Sequence, residues 1–332
     1  AVAVGGAGAM GALAAAGLAP GEIGPATAAV RAQADGRPFA VNLLMAPPAA
    51  PDAAEVEAAL ERLAPLYAEL GAPLPAAPNA FAQDFEAQLA AVIEAAPPVA
   101  SFAFGVLSGD HVEALHRAGS YVVGTATTVA EARAWADAGA DGICAQGFEA
   151  GGHRGHFLAE LDASLVGTIA LVATIRAAVD LPVIAAGGIM DGRGVAAALA
   201  LGASAAQMGT AFLLSDEAVT SRPWRRAVAE AGDEATRLTR AFTGRYARSV
   251  ENRFMRLMHG AEAQVPAYPV QNRLTQPLRA AAARADDPEM ISLWAGQGVR
   301  LAREGAAEDM VRRWWAEAKA AAGEVAARTR RG

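Results

Sequence analysis

Short apolar segments alternate with helical segments along the first two thirds of the chain, and this alternation predicts an α/β fold with a parallel sheet. Glycine and polar residues follow several of the apolar segments, at the positions where parallel strands would end together. A TIM (β/α)8 barrel needs eight strands in about 250 residues. Because seven strands are evident and the chain starts inside a helical segment, we predict a barrel whose first strand is absent from this sequence.

The predicted strands are short, apolar and rich in small or β-branched residues. They cover residues 11–15, 39–44, 99–105, 121–124, 142–145, 182–189 and 205–210. Thr128 and Glu131 form a capping-box pattern at the start of one helix, and Gly119 and Gly202 follow two others as C-caps. The predicted barrel helices cover residues 27–34, 53–64, 84–95, 110–118, 128–138, 164–179 and 194–201. Two prolines and two glycines predict a turn over residues 20–25.

The pattern changes after Ser215, where charged residues become denser and strand-like segments disappear. We predict a barrel over residues 1–215, a mostly helical subdomain over 216–300 with helices at 224–231, 252–259 and 276–285, and a C-terminal unit over 301–332. The C-terminal unit contains a helix over 307–327 whose Met310, Val311, Trp314 and Trp315 are expected to pack back on the barrel.

Composition excludes several classes of function for a chain of 332 residues with a formal charge of -7. Its basic residues are scattered, which argues against nucleic-acid binding. No apolar run is long enough for a convincing membrane span, and the alanine-rich start lacks the basic residues of a signal peptide, so we predict a cytoplasmic protein. The single Cys144 excludes an internal disulfide and a multi-cysteine zinc site. The oligomeric state stays open, a homodimer included.

The segment 146–155 concentrates unusual residue types directly after a predicted buried strand. It reads QGFEAGGHRG, with four glycines that allow close approach of the backbone to a ligand. His153 lies among them, and histidine is the side chain most easily tuned for proton transfer near neutral pH. The alternative is a surface turn with a solvated histidine.

Further polar and glycine residues fall where the other predicted strands end, which is where barrel active sites lie. They are Asn42, Gln146, Gly187, Gly188, Gly209 and Thr210. Backbone amides of the last two barrel loops commonly bind phosphate. The pattern therefore predicts a ligand with a phosphate group, and by itself it does not choose between FMN, a nucleotide and a sugar phosphate.

Other clusters favour structural roles. The glycines at 5–11 do not follow a strand in this sequence, so we predict helix-to-strand packing in place of a dinucleotide loop. We predict no metal site, because Glu149 is the sole close carboxylate for His153 and His156. Cys144 is expected to be a small core residue, and Glu149 and Arg154 are expected to pair with each other or with solvent.

Several motifs together resemble those of the FMN-dependent nitronate monooxygenases, formerly called 2-nitropropane dioxygenases. They are QGFEAGGHRG at 146–155, GTATT at 124–128, PVIAAGGIMDGR at 182–193, QMGT at 207–210, TGRYAR at 243–248 and SLWAGQG at 292–298. The resemblance covers nearly the whole chain and implies a barrel with an added helical domain. Family members begin with a strand and a flavin-contacting loop, so we expect that this sequence lacks a natural N-terminal segment.

The resemblance also implies roles for individual residues. His153 would be the catalytic base that removes the proton beside a nitro group. Asn42, Gln146, Gly151, Gly187 and Gly188, together with Gln207, Met208, Gly209 and Thr210, would hold FMN. The implied reaction is oxidation of alkyl nitronates, or of nitroalkanes, with O2 to a carbonyl compound and nitrite.

Two other functions remain open at this point. A flavin-dependent enoyl-acyl-carrier-protein reductase, which would use NAD(P)H, shares the barrel and a similar glycine-histidine loop. A flavin-binding barrel that has lost catalysis is the second alternative, and the presence of His153 argues against it.

Overall fold

The fold is a curled parallel sheet surrounded by helices, in a computed structural model that describes residues 1–330. The strands are β1 Gly11–Ala14, β2 Phe39–Leu44, β3 Val99–Ala103, β4 Tyr121–Ala126, β5 Gly142–Gln146, β6 Gly152–His153, β7 Val183–Ala186, β8 Ala205–Gln207, β9 Thr236–Thr239 and β10 Ala247–Val250. The helices are α1 Val2–Gly6, α2 Pro20–Gln33, α3 Ala53–Glu69, α4 Phe85–Ala95, α5 Gly109–Arg117, α6 Val129–Asp137, α7 Leu161–Ser164, α8 Thr168–Arg176, α9 Gly192–Ala200, α10 Arg222–Glu230, α11 Arg253–Met258, α12 Val270–Arg284 and α13 Ala307–Thr329. Short 3-10 helices cover Thr210–Phe212, His259–Gln264, Pro288–Met290 and Val299–Leu301.

The large sheet confirms the seven predicted strands and the barrel class. Its order is β1-β2-β3-β4-β5-β7-β8, with every pair parallel. Apolar residues of β2, β3, β4, β5 and β7 meet in one interior cluster, which requires the sheet to curl. β1 and β8 are the two edges, and most of their residues are at least partly exposed.

The larger core lies between the sheet and the surrounding helices. Leu43, Phe102 and Ile143 point outward from their strands and are fully buried beneath these helices. Several of the helices begin at an N-cap residue whose side chain accepts a hydrogen bond from a backbone amide of the first turn. At α4, for example, the Ala87 amide donates to Asp84 Oδ1. At α6 only half of the predicted capping box forms. Thr128 accepts from the Glu131 amide, whereas the Glu131 carboxylate turns toward Thr127 and toward the loop after His153.

Two helix predictions had wrong boundaries. Residues 20–25, predicted as a turn, form the first part of α2, because proline is tolerated in the first turn and Glu22 accepts a hydrogen bond from the Ala19 amide at 2.8 Å. The helix predicted over 164–179 corresponds to α8 alone, which begins at Thr168 with Gly167 as its N-cap and ends at Arg176, whereas Ser164 is the last residue of α7.

The predicted absence of strands after residue 215 was wrong. β9 and β10 form a small antiparallel sheet in the order β6-β10-β9, in which Ala247 pairs with His153. The residues of β9 and β10 are mainly Thr, Arg and Ser, so they lack the apolar alternation that signals a strand. This sheet connects the histidine loop to the later part of the chain.

A second core lies between α3 and the segment 214–302. Tyr67 on α3 is fully buried there and donates a hydrogen bond of 2.6 Å to the Leu274 carbonyl on α12. The side chains of this core therefore come both from an early barrel segment and from residues after 215. The proposed domain boundaries stay a prediction.

The last helix, α13, lies along α9 and α1. Met310 and Trp314 pack in a buried cluster with Met190 and Ala211. Close contact at Gly192 brings the two helices together, because a Cβ at that position would lie 2.1 Å from the Trp314 carbonyl oxygen. Across residues 1–330, no helix combines the length and the apolar character that a membrane crossing requires.

Gly192→Ala is expected to lower the free energy of unfolding by about 1–3 kcal/mol, because a methyl group there would push against the α13 backbone. Gly323→Ala is the matched control, since Gly323 lies in α13 with open space around the position of a Cβ. The control should be neutral or stabilising by about 0.5–1 kcal/mol. Urea unfolding of both variants measures the difference, and equal stabilities would contradict the proposed close contact.

Candidate active site

A cavity of about 370 Å³ opens at the carboxyl ends of the barrel strands. The predicted site residues that line it are Asn42, Gln146, Gly151, His153, Gly187, Gly188, Gln207, Gly209 and Thr210. They come from β2, β5, β6 and the loops after β7 and β8, so the fold brings together residues more than 160 positions apart. The cavity has a size typical of sites for small molecules and cofactors.

Met208 is the predicted residue that the structure does not bring to the cavity. Its side chain is partly buried against the barrel core and the Trp314 cluster. Side chains of successive residues along a strand point to opposite faces of the sheet, so those of Gln207 and Met208 point in different directions.

Cys144, predicted to be a core residue, also lines the cavity. Its Sγ lies 3.6 Å from Gln207 Oε1, in a weak hydrogen bond. Burial raises the pKa of the Cys144 thiol to about 12, so the thiol is protonated at neutral pH. A thiolate nucleophile is therefore not expected here.

The Asn42 side chain has the partner that an amide in a central strand needs. Asn42 is opposite Ser101 in the β2–β3 register. Its Nδ2 donates to Ser101 Oγ at 3.0 Å and to the Ser101 carbonyl at 3.2 Å. These bonds direct the amide group and leave the Asn42 Oδ1 available to a bound molecule.

The His153 ring is enclosed by three aromatic side chains. Ring centroids of Trp294, Phe104 and Tyr268 lie 5.4, 5.5 and 5.7 Å from that of His153. His153 is half-buried, which contradicts the alternative of a solvated histidine in a surface turn. Sequence reasoning did not identify Tyr268 or Trp294, since they lie more than 110 residues away along the chain.

Thr243 sets the tautomer of His153. Its Oγ1 lies 2.9 Å from His153 Nε2, and its hydroxyl donates to the Arg245 carbonyl at 3.0 Å. A hydroxyl has one proton, so Oγ1 must accept from a protonated Nε2, and we assign the lone pair to Nδ1. Nδ1 has no hydrogen-bond partner among residues 1–330, which leaves it available to a molecule in the cavity.

The surroundings keep His153 neutral. Burial, as the largest cause, and the positive charges of Arg245 and Arg279 together lower the pKa of His153 to about 3. Arg245 donates to the Arg154 carbonyl at 3.0 Å, and Arg279 donates to Asn272 Oδ1 at 2.8 Å. Neither arginine forms a salt bridge within the part of the chain that the structure describes, although the Glu131 carboxylate is close enough to favour the charged form of Arg245.

Gln146 and Arg154 together hold the loop on both sides of His153. Its Nε2 donates to the His153 carbonyl at 3.0 Å, and its Oε1 accepts from the Gly155 amide at 2.8 Å. Arg154 also donates to this Oε1 at 3.1 Å and to the Gly147 carbonyl at 2.9 Å. These bonds position the imidazole before any ligand is bound.

The predicted pairing of Glu149 with Arg154 or with solvent was wrong. The Arg154 guanidinium is buried and bonds to backbone carbonyls, including that of Ser164. Glu149 Oε2 accepts from Thr168 Oγ1 at 2.8 Å, and its Oε1 accepts from the Thr168 amide at 3.0 Å. Glu149 therefore connects the histidine loop to the start of α8.

Glycines near the cavity serve two purposes. Gly187 and Gly188 have φ values of 113° and 71°, which favour glycine, and they turn the chain after β7. The amides of Gly188, Gly209 and Thr210 have no acceptor within residues 1–330 and are free to bind an anion. Gly151 instead allows close packing, because a Cβ there would lie 2.6 Å from the Ala295 carbonyl carbon.

The sequence matches a known family over most of its length. The family model for nitronate monooxygenase matches residues 1–317. A probable nitronate monooxygenase of Staphylococcus aureus (strain Newman) is 47% identical over 221 residues, which is 66% of this chain and 62% of that protein. The chain thus matches less than two thirds of the length of this curated relative.

Solved structures show the same architecture. The chain superposes on the nitroalkane oxidase from Streptomyces ansochromogenes with a TM-score of 0.90 and 43% identity, covering 98% of this chain and 92% of that one. FabK from Thermotoga maritima gives a TM-score of 0.75 at 27% identity, with 98% and 90% covered. The match over residues 1–317, supported by these two likenesses, shows that the chain belongs to the nitronate monooxygenase family.

Proposed function

We propose that this protein oxidises alkyl nitronates, and nitroalkanes after proton removal, with FMN and O2, giving a carbonyl compound and nitrite. The observation that carries the proposal is a neutral His153, with Nε2 bonded to Thr243, in the lining of a cavity that Gly188, Gly209 and Thr210 also line. Family membership and the likeness to a nitroalkane oxidase support the choice of substrate.

The cavity residues fit FMN. Free amides of Gly188, Gly209 and Thr210 suit its phosphate group, and a Cβ at Gly209 would lie in open space that a ligand can fill. Asn42, Gln146 and Gln207 offer amide groups to the polar edges of a flavin ring. When bound, FMN would supply the one-electron chemistry with O2 that the side chains of the cavity lack.

His153 would act as a base toward a nitroalkane. Its Nδ1 lone pair can accept the proton from the carbon beside the nitro group, while Thr243 keeps Nε2 protonated and the ring oriented. A preformed nitronate needs no such step. Because Arg245 and Arg279 are close to His153, the anion that results is stabilised and the imidazolium is destabilised.

The function is tested by adding ethyl nitronate or nitroethane to the purified flavin-loaded protein under air. We expect O2 uptake and nitrite release from both. His153→Gln should lower the rate with nitroethane by about 100-fold or more, because proton removal by a positioned base is lost. With ethyl nitronate the loss should be smaller.

His259→Gln is the control variant, since His259 is exposed and distant from the cavity. Unchanged nitroethane turnover in His153→Gln would contradict the proposed base. NADH oxidation with a crotonyl thioester, and no reaction with nitronate, would favour the reductase alternative. A flavin-loaded protein inactive in both assays would favour the inactive barrel.

Gly209→Val should lower the FMN content of the purified protein while leaving its melting temperature unchanged without FMN, because the added side chain meets only ligand space. Gly188→Val should lower both, since φ at Gly188 is 71°. Gly232→Val, in a loop with open space, is the control. Flavin absorbance and thermal unfolding separate the effects, and full occupancy in Gly209→Val would show that the phosphate site is misplaced.

The pH profile of nitroethane oxidation should show no loss of activity from protonation of His153 between pH 8 and pH 5. A lowered pKa of about 3 keeps the imidazole neutral, with its lone pair free to accept a proton, across that range. Arg245→Met should raise the pKa of His153 by removing a nearby positive charge. The loss of activity on acidification should therefore begin at a higher pH in this variant than in the wild type. Nitrite release per bound flavin measures both, with Arg237→Met as a surface control. A wild-type inflection near pH 6.5 that His153→Gln removes would contradict this assignment.

A further inference from the structure

Phe104 has a backbone conformation that its residue type rarely adopts. It follows directly after β3 and has a φ of 81°, in the left-handed region that favours glycine. The residue that follows is Gly105, yet the positive φ falls on Phe104 and not on this glycine. Strained backbone of this kind persists only where the surroundings enforce it, and it concentrates at functional sites.

Three side chains hold the Phe104 ring in place. The Arg245 guanidinium carbon lies 4.1 Å from the ring centroid, in a cation–π contact. The rings of His153 and Tyr268 meet it edge-on, with centroids at 5.5 and 5.6 Å. Arg245 is itself anchored to the carbonyls of Arg154 and His156 in the histidine loop.

Phe104 is the one of these aromatic residues that lines the cavity together with His153. Tyr268 and Trp294 also pack against the His153 ring, with centroids at 5.7 and 5.4 Å, but they are not among the residues that line the cavity. Leu44 and Ala103, which are paired across β2 and β3, continue the apolar wall beside it. The amide and hydroxyl groups of Gln207 and Thr210 belong to the opposite strand ends.

We propose that Phe104 determines which alkyl chains can reach His153, by limiting the length of the chain on the carbon that bears the nitro group. This inference rests on the proposed nitronate oxidation. A substrate carbon must approach Nδ1 from the cavity, and its alkyl chain then lies against the apolar wall that Phe104 ends. The strained backbone holds the ring across this wall, so the site takes short-chain nitronates.

Phe104→Ala and Phe104→Gly test the proposal, with rates and affinities measured for ethyl, butyl and hexyl compounds. The ratio of kcat/KM for hexyl nitronate to that for ethyl nitronate should rise at least about tenfold in both variants, the scale expected when space for methylene groups is created. Dissociation constants of 1-nitrohexane and nitroethane, measured by tryptophan fluorescence, should shift in the same ratio. Phe81→Ala is the control, because Phe81 lines a separate cavity beside α3 and is not among the residues that line the cavity of His153.

The two variants also separate the ring from the backbone. Phe104→Gly should have a higher melting temperature than Phe104→Ala, because only glycine adopts the positive φ without strain. A purely structural role for Phe104 would lower kcat/KM by one common factor for all chain lengths. Unchanged chain-length ratios in both variants would overturn the proposal.

The affinities keep this test independent of the proposed reaction. If the wild type binds nitroalkanes but releases no nitrite, the proposed function fails while the chain-length ratios of the dissociation constants still decide the role of Phe104. If the wild type binds neither short nor long nitroalkanes, the inference about Phe104 is overturned as well.

Discussion

The hydrogen bond between His153 Nε2 and Thr243 Oγ1 is the interaction on which the site depends. It joins a barrel loop to the turn between β9 and β10, and the pairing of His153 with Ala247 supports it from the backbone side. Without these contacts the imidazole would have no fixed tautomer, and Nδ1 would have no defined direction. The small antiparallel sheet therefore fixes the position of the imidazole within a glycine-rich loop.

Local charge around this histidine is opposite to the charge of the whole protein. The chain has a formal charge of -7, yet Arg245 and Arg279 approach His153 without forming salt bridges within residues 1–330. Their hydrogen bonds go mainly to backbone and side-chain oxygens that carry no full charge. Such an arrangement opposes an imidazolium and favours an anion in the same volume, and both effects suit a site for nitronates.

Hydrogen bonds hold some groups of the site rigidly, whereas other groups have no partner within residues 1–330. Gln146 and Arg154 bind the backbone on each side of His153, so the imidazole is positioned without a ligand. The amides of Gly188 and Gly209 are left free, which keeps a volume open for a cofactor. The strained backbone of Phe104 adds the apolar boundary on the other side. Under the proposed function, His153 would be the fixed base, the free amides would bind the cofactor, and Phe104 would bound the space for the alkyl chain of the substrate.

The sequence by itself determined the seven barrel strands, the prominence of His153 and the set of loop residues around the cavity, because strand periodicity and glycine-rich strand ends are local signals. It did not predict β9 and β10, whose polar residues form strands by pairing with each other and, through β10, with β6. It correctly placed Cys144 in the core, but it did not show that Cys144 lines the cavity or that Met208 does not, because the face that a residue shows depends on how the sheet curls. Thr243, Tyr268 and Trp294 became neighbours of His153 only in the tertiary structure, since contacts across 90 or more residues leave no local pattern. The protonation of His153 was decided in the same way, by burial and by arginines brought close to it through folding.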